Sequence, residues 1–235
     1  MSEAGRPAEE NWPRAVLFDL DGTLIDSAPD IAAAVNELLS HSSRGPLTLA
    51  EVTSMIGNGV EKLVERAFAA TIGGALAPAA LRREQMAMVD IYANHLTQLT
   101  VPMPSAPDVL EVFHGDGILL GLVTNKPQRF IETILDHLGM SSLFGAVIGG
   151  DAGVAKKPAP DMLLAAMQQL GVEPWNTVMV GDSTSDVEAA RAAGVPSVVV
   201  RGGYSNVPLE QLGADSVIGG LDELAVAFGL LKPVG

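Results

Sequence analysis

The sequence contains no cysteine among its 235 residues. Disulfide bonds, thiolate nucleophiles and thiolate metal sites are therefore excluded. Basic residues are also scarce, because 14 Lys and Arg stand against 28 Asp and Glu and give a formal net charge of -14. A chain with this charge repels phosphate backbones and anionic lipid. We therefore predict neither a nucleic-acid partner nor a membrane partner.

Long apolar runs and targeting signals are lacking as well. No stretch approaches the roughly 18 uninterrupted apolar residues that a membrane span needs. The opening residues, MSEAGRPAEENWPR, contain no apolar run behind a basic start, so no signal peptide is predicted. Hydrophobic residues nevertheless make up 48% of the chain, which is a normal globular share. We expect a cytoplasmic protein that is a monomer or a homodimer.

Five short apolar runs predict buried strands. They lie at 15–23, 118–126, 146–151, 177–183 and 196–203. None of them alternates polar and apolar residues, which is typical of strands that are covered on both faces of a parallel sheet. Segments with helical starts and glycine ends separate the later runs. This alternation predicts an α/β fold, namely a doubly wound parallel sheet with a Rossmann-like core.

The segment between the first two predicted strands is too long for a loop and looks helical throughout. An apolar-periodic run covers Ile31 to Leu39, a second follows the capping-box pair Thr48 and Glu51, and a third covers Leu81 to Leu99. We therefore predict a small helical cap domain at 27–103. The core domain would then comprise 1–26 and 104–235.

Polar residues gather where the predicted strands end, which is where doubly wound sheets bind ligands. They are Asp19, Asp21, Thr124, Asn125, Asp151, Asp182 and Asp186. Several carboxylates in one crevice need a cation, because like charges at close range cannot all stay ionised. With no cysteine and only four scattered histidines, the ligands are oxygen atoms, which favours Mg²⁺.

Each of these motifs also has a purely structural explanation when it is taken alone. An Asp-Gly pair commonly makes a solvated turn, the Asp182 motif can cap a helix, and a loop lysine such as Lys157 is usually solvated. Asp19 and Asp21, however, point to the same side of an extended chain. Gly22 then permits a sharp turn and a close approach to a ligand. Four motifs in order at successive strand ends favour the functional explanation.

These motifs resemble those of the haloacid dehalogenase-like phosphatases. The matching strings are DLDGT, with its DxDGT core at 19–23, VTNK at 123–126, KKPAP at 156–160 and GDSTSD at 181–186. Further strings, such as IGNGVEKLVERA, VIGGD and VGDSTSDVEAARAAG, resemble bacterial phosphoglycolate phosphatases. The resemblance spans roughly residues 14–203 and implies a cap inserted after the first motif.

The resemblance implies a role for each matching residue. Asp19 is the implied nucleophile, which forms an aspartyl-phosphate, and Asp21 is the implied general acid and base. The implied Mg²⁺ ligands are Asp19, the backbone carbonyl of Asp21, and Asp182, with Asp186 as a further ligand or a support. The implied phosphoryl contacts are the backbone at Gly22 and the side chains of Thr124, Asn125 and Lys157.

The predicted cap contains the motif that bears on the substrate. Exposed N–H groups at Gly57, Asn58 and Gly59 can hold a carboxylate, and Lys62 and Arg66, one turn apart, can assist. The same pattern also fits a plain helix connection with surface charges. The main hypothesis is a Mg²⁺-dependent phosphomonoester hydrolase that acts on 2-phosphoglycolate.

Two alternatives stay open on the same motifs. One is a sugar-phosphate phosphatase, for example one for N-acetylmuramic acid 6-phosphate. The other is a catalytically silent binding module of the same fold. The second alternative is disfavoured because the motif residues Asp19, Asp21, Lys157 and Asp182 are all present. A catalytically silent module would most simply have lost its nucleophile.

Overall fold

The computed structural model describes residues 12–232. The strands are β1 Ala15–Phe18, β2 Ile25–Asp26, β3 Val101–Pro102, β4 Leu119–Val123, β5 Ala146–Ile148, β6 Thr177–Gly181, β7 Ser197–Val200 and β8 Ser216–Ile218. The helices are α1 Ala28–His41, α2 Leu49–Thr53, α3 Val60–Ala70, α4 Pro78–Tyr92, α5 Ala106–Gly115, α6 Gln128–His137, α7 Asp161–Leu170, α8 Thr184–Ala193 and α9 Leu224–Leu231. Residues 1–11, for which no signal peptide is predicted, lie outside the described residues, as do 233–235.

Six strands form a parallel sheet in the order β5-β4-β1-β6-β7-β8. Strand β1 lies between β4 and β6, and Phe18 is in register with Leu122 on one side and Val180 on the other. All four β1 residues are fully buried. Continuous apolar strands suit this position, because helices cover both faces of the sheet.

Successive β1 residues contribute to cores on opposite faces of the sheet. Val16 and Phe18 belong to one apolar cluster with residues of α5, α6 and α9. Ala15 and Leu17 belong to a second cluster with residues of α7 and α8. This alternation follows from the period of two in a strand. The predicted doubly wound α/β sheet is confirmed.

The chain between β2 and β3 is helical and contains α1 to α4; we call residues 27–103 the helical insertion. Strands β2 and β3 pair antiparallel, with Ile25 opposite Pro102, so the two ends of the insertion meet at a short ribbon. The capping box between Thr48 and Glu51 is present at the start of α2. The division of the chain into a core domain and a cap domain at these boundaries stays a prediction.

The third predicted helical run, Leu81 to Leu99, corresponds to α4, the fourth helix of the insertion, and was predicted too far, because α4 ends at Tyr92. Buried Asp30 on α1 explains where the chain returns. Its carboxylate accepts hydrogen bonds from the backbone N–H groups of Leu99 and Thr100 and from the Thr100 hydroxyl. Within the described residues, no helix combines the length and the apolar character that crossing a bilayer requires.

Candidate active site

The first feature of the site is a group of three buried carboxylates at the carboxyl edge of the sheet. Asp19 follows β1 directly and Asp182 follows β6, and the parallel pairing of these strands brings them side by side. Asp186 lies in the first turn of α8 and reaches the same point. Each of the three offers an oxygen atom within 4.8 Å of the others. The structure thus brings together three of the predicted metal ligands.

The Lys157 ammonium lies behind these carboxylates and is almost fully buried. Its Nζ donates to Asp19 Oδ1 at 2.8 Å, to Asp186 Oδ1 at 2.6 Å and to the Val123 carbonyl at 2.7 Å. All three ammonium protons therefore have acceptors. Burial alone would lower the pKa of Lys157, but Asp186 and Asp19 outweigh it and raise the pKa. We call Asp19, Lys157, Asp182 and Asp186 the strand-end cluster.

One ammonium does not balance three carboxylates at this distance. Burial raises the pKa of Asp19 to about 6, although Lys157 opposes the shift. Burial and the neighbouring charges of Asp186 and Asp19 likewise raise the pKa of Asp182 well above its ordinary value. A further cation would stabilise the ionised forms of these groups. The donor set consists of oxygen atoms, which fits a hard divalent ion such as Mg²⁺.

Asp186 and Asp182 are held differently. Oδ2 of Asp186 accepts from the N–H and hydroxyl of Ser183, which caps α8, and Oδ1 accepts from Lys157. Both Asp186 oxygens are thus engaged within the protein. Asp182 accepts from the Thr23 hydroxyl at 3.3 Å and from the Tyr204 N–H at 2.5 Å. Both oxygens of Asp182 thus also have donors, and the difference is that Asp186 alone of the two accepts from the charged Lys157 ammonium. The division of metal-binding roles between them stays a prediction.

Gly22 lies against Asp182 for a steric reason. Its φ is +85°, and a Cβ atom there would lie 2.7 Å from Asp182 Oδ2. Only glycine fits both conditions. The Gly22 N–H donates to the Ile25 carbonyl at 2.9 Å, so that N–H is occupied in the turn rather than presented to a phosphoryl group.

The Asp21 side chain lies apart from the strand-end cluster and faces the helical insertion. Its Oδ1 accepts from Lys126 Nζ at 2.7 Å and from the Ser27 hydroxyl at 2.5 Å. Two donors on one oxygen fix the orientation of this carboxylate. The structure thus separates the two aspartates of the DxD motif into different surroundings.

Thr124 and Asn125 follow β4 and are both buried. The Thr124 hydroxyl accepts from the Lys126 N–H at 3.2 Å. Asn125 Nδ2 donates to the carbonyls of Gly57 and Lys157, each at 3.0 Å, so this side chain links the insertion to the core. Among the described residues, Asn125 Oδ1 has no hydrogen-bond partner.

The IGNG turn of the insertion reaches the site, but Lys62 does not. Gly57 and Gly59 have φ values of +110° and +83° and line a cavity next to Asp19. Asn58 donates to Ser185 Oγ at 3.1 Å and accepts from Arg66 at 2.7 Å. Lys62 is exposed and pairs with Glu65 at 2.7 Å on the outer face of α3.

A cavity lies between the insertion and the strand ends, and it is partly open to solvent. Its polar lining comes from the core, and its apolar lining comes mainly from the insertion. The lining residues are Asp19, Asp21, Ile31, Ile56, Gly57, Gly59, Val60, Leu63, Met88, Tyr92, Thr124, Asn125, Lys126 and Pro127. We call this space the insertion-side cavity. It joins the strand-end cluster to a sheltered volume for the rest of a ligand.

Comparison with known proteins decides the family. Residues 16–200 match the family model described as haloacid dehalogenase-like hydrolase. The chain belongs to the haloacid dehalogenase-like hydrolases. The predicted family resemblance and the predicted class, an enzyme that hydrolyses its substrate, are confirmed.

Relatives of this hydrolase carry a more specific name. It is 45% identical over 195 residues to a phosphoglycolate phosphatase of Pseudomonas putida, covering 83% of this chain and 71% of that one. It is 39% identical over 227 residues to a phosphoglycolate phosphatase of Rhodospirillum rubrum, covering 95% and 94%. A solved structure described as a predicted phosphoglycolate phosphatase, from Haemophilus somnus, has a TM-score of 0.87 at 28% identity, covering 93% of this chain and 99% of that one.

Sequence reasoning missed several residues of this hydrolase, and Asp151, like Lys62, lies away from the site. Lys126 ends the VTNK motif but received no role, and nothing in the pattern of α4 singled out Tyr92. Tyr204 was also missed; its hydroxyl donates to Asp26 at 2.7 Å where the insertion begins. Asp151 was expected among the converging residues, but it is exposed and accepts from the Gln128 N–H at the start of α6.

Proposed function

We propose that this protein is a Mg²⁺-dependent phosphomonoester hydrolase whose substrate is 2-phosphoglycolate. The observation that carries the proposal is the arrangement of the two aspartates of the DxD motif. Asp19 lies against the Lys157 ammonium at 2.8 Å, while Asp21 is held apart by Ser27 and Lys126. One carboxylate is therefore placed as a nucleophile beside a cation, and the other is placed to exchange protons with a leaving group.

The reaction proceeds in two displacements at phosphorus. In the first, a carboxylate oxygen of Asp19 attacks phosphorus, the bond between phosphorus and the ester oxygen breaks, and Asp21 gives its proton to the departing oxygen. In the second, Asp21 takes a proton from water, whose oxygen attacks phosphorus and expels the Asp19 carboxylate. The products are inorganic phosphate and the alcohol, and both aspartates regain their starting forms.

The surrounding residues stabilise the charge on the phosphoryl oxygens, which is what phosphoryl transfer chiefly requires. Mg²⁺ would be held by Asp19, Asp182 and the backbone carbonyl of Asp21, and it would neutralise negative charge on the phosphoryl group. Lys157 supplies a second positive charge, 2.8 Å from Asp19 Oδ1. The Thr124 hydroxyl lines the cavity and keeps its proton to donate to a phosphoryl oxygen. Asn125 donates both of its amide protons to the Gly57 and Lys157 carbonyls, so it positions the insertion over the site rather than donating to the phosphoryl group.

Phosphoglycolate is the proposed substrate on two grounds. The relatives at 39% and 45% identity bear this substrate in their names. The IGNG turn, whose glycines line the cavity, supports the placement of a small leaving group close to Asp21. The cytoplasmic location and the monomeric or homodimeric state stay predictions.

A sugar-phosphate phosphatase is the second candidate, and the cavity is the observation that favours it. Its insertion side is lined by the apolar side chains of Ile31, Ile56, Val60, Leu63 and Met88, a surface that glycolate has only a single methylene group to contact. The larger leaving group of a phosphorylated sugar acid such as N-acetylmuramic acid 6-phosphate would contact more of that surface.

The test is the release of inorganic phosphate from a panel of phosphomonoesters with and without metal. The panel contains 2-phosphoglycolate, N-acetylmuramic acid 6-phosphate, ethyl phosphate and p-nitrophenyl phosphate. We expect the highest kcat/KM for 2-phosphoglycolate, loss of activity in EDTA, recovery with Mg²⁺ and inhibition by Ca²⁺, whose shell is larger and looser. A higher kcat/KM for the sugar phosphate would favour the second candidate, and full activity in metal-free buffer would contradict the metal site.

A further inference from the structure

Lys126 is a buried cation that the proposed reaction leaves without a partner in the substrate. It lies three residues beyond the end of β4, and its side chain is only 3% exposed. Nζ donates to Asp21 Oδ1 at 2.7 Å and lies 4.8 Å from the centre of the Tyr92 ring. The ammonium is thus placed between the general acid and the last turn of α4.

The hydrogen bonds of Lys126 contrast with those of Lys157. Lys157 donates to three acceptors, whereas Lys126 Nζ donates to one among the described residues and has the Tyr92 hydroxyl as its other close polar neighbour. An ammonium group has three donors, and leaving buried donors without acceptors is costly. Lys126 is also the only cationic residue among those that line the insertion-side cavity. Its spare donors therefore call for an acceptor from a ligand.

Among the residues that the structure describes, the hydroxyl of Tyr92 is a second donor without an acceptor in the lining of the insertion-side cavity. The residue is 3% exposed, and its hydroxyl has no hydrogen-bond partner within residues 12–232. Its ring packs edge-on against Phe130, with ring centres 5.3 Å apart, so its position is fixed. Burial raises the pKa of Tyr92 to about 12, so the hydroxyl keeps its proton and can donate.

We propose that Lys126 and Tyr92 bind the carboxylate of the substrate and thereby set the specificity of the enzyme. The inference rests on the proposed function and names the residues that recognise the leaving group. In 2-phosphoglycolate a single methylene carbon separates the ester oxygen from the carboxylate. A leaving oxygen at Asp21 therefore puts the carboxylate next to the neighbouring Lys126. This assignment replaces exposed Lys62 with a cation inside the cavity.

The test compares 2-phosphoglycolate with ethyl phosphate, which has a methyl group in place of the carboxylate. The measured quantity is the ratio of kcat/KM for the two substrates in the wild type, Lys126→Met, Tyr92→Phe and Arg82→Met. Arg82 is an exposed residue of α4, so its variant is the matched control for loss of a positive charge. Because Lys126 also contacts Asp21, Lys126→Met lowers activity on both substrates, and that common factor cancels in the ratio.

We expect Lys126→Met to lower the ratio about 10- to 100-fold, as for loss of a hydrogen bond to a charged group. Tyr92→Phe, which leaves the Asp21 contact intact, should lower it about 3- to 10-fold, and Arg82→Met should leave it unchanged. Equal losses on both substrates in Lys126→Met, together with an unchanged ratio in Tyr92→Phe, would overturn the assignment. A wild-type enzyme with no preference for 2-phosphoglycolate would overturn the proposed substrate as well, so the two failures are distinguishable.

Discussion

The strand-end cluster and the insertion-side cavity differ in how completely their polar groups are satisfied. In the cluster, Lys157 has three acceptors and both oxygens of Asp186 have donors. In the cavity, the hydroxyl of Tyr92 and Oδ1 of Asn125 have no partner among the described residues. Buried polar groups are normally paired, so the unpaired ones mark where a ligand completes the structure.

This difference separates the two tasks of the site. The cluster is organised before any substrate arrives, which suits the phosphoryl group that every phosphomonoester shares. The cavity is completed by the part of the substrate that varies. Changes in the cluster should therefore affect all substrates alike, and changes in the cavity should affect substrates unequally.

The largest expected effect is that of Asp19→Asn in the cluster. An amide cannot form the acyl-phosphate, and loss of a covalent nucleophile costs at least about 10⁴-fold in kcat. We expect this loss on 2-phosphoglycolate, ethyl phosphate and p-nitrophenyl phosphate alike, measured as phosphate release. Asp90→Asn, at an 84% exposed side chain of the insertion, is the control and should keep full activity. Turnover above a percent or so of wild type in Asp19→Asn would contradict the nucleophile role.

The next effect tests Asp21, which lies at the border between the two regions. Asp21→Asn removes the proton donor, whose help is commonly worth about 10² to 10⁴-fold. Ethyl phosphate should lose the full factor, because its alkoxide needs a proton to leave. p-Nitrophenyl phosphate should lose much less, because p-nitrophenolate leaves without one. Equal losses in kcat on these two substrates would rule out an acid role.

The fold of the core and the cluster were predictable from sequence because local patterns determine them. The continuous apolar run of β1 requires cover on both faces, and parallel pairing then places Asp19 beside Asp182. The helical content of the insertion follows from its apolar periodicity. The short strands β2, β3 and β8 were not predicted, since two or three residues carry too little pattern.

The cavity was less predictable because its contacts join distant parts of the chain. Lys126 meets Asp21 across 105 positions, and it lies beside Tyr92, the last residue of α4 in the insertion. The exposed position of Lys62 could have been predicted from the sequence. Buried Leu63, Val64, Ala67 and Phe68 define the inner face of α3, and Lys62 lies on the opposite face.

A smaller effect is expected from Gly59→Val, which changes the insertion side alone. Gly59 has a φ of +83°, and a Cβ atom there would lie 3.4 Å from the Asn125 carbonyl oxygen. A branched side chain would both strain the turn and narrow the cavity. We expect KM for 2-phosphoglycolate to rise about tenfold, equivalent to about 1.4 kcal/mol, with little change for p-nitrophenyl phosphate.

Gly74→Val is the control for strain in Gly59→Val. Gly74 also has a positive φ, +65°, in the insertion, but a Cβ atom there meets nothing within 4 Å. Gly74→Val should cost thermal stability without raising KM. If Gly59→Val raises KM equally for both substrates, the turn closes the site rather than recognising the leaving group.

The smallest expected effect concerns Asn58, which sequence reasoning assigned to the substrate. In the structure Asn58 donates to Ser185 Oγ at 3.1 Å, where the insertion touches α8, so it joins the two regions instead of lining the cavity. Asn58→Ala and Ser185→Ala should each lower kcat/KM only a few-fold and equally for 2-phosphoglycolate and ethyl phosphate. Both variants remove the same hydrogen bond. The double variant should therefore have a kcat/KM no lower than that of the more damaging single variant, which corresponds to a coupling free energy between Asn58 and Ser185 of about 0.5–1.5 kcal/mol. Additive losses would show that the two side chains do not act through this contact. A loss in Asn58→Ala confined to 2-phosphoglycolate would place Asn58 on the substrate and extend the recognition surface from Lys126 and Tyr92 to the IGNG turn.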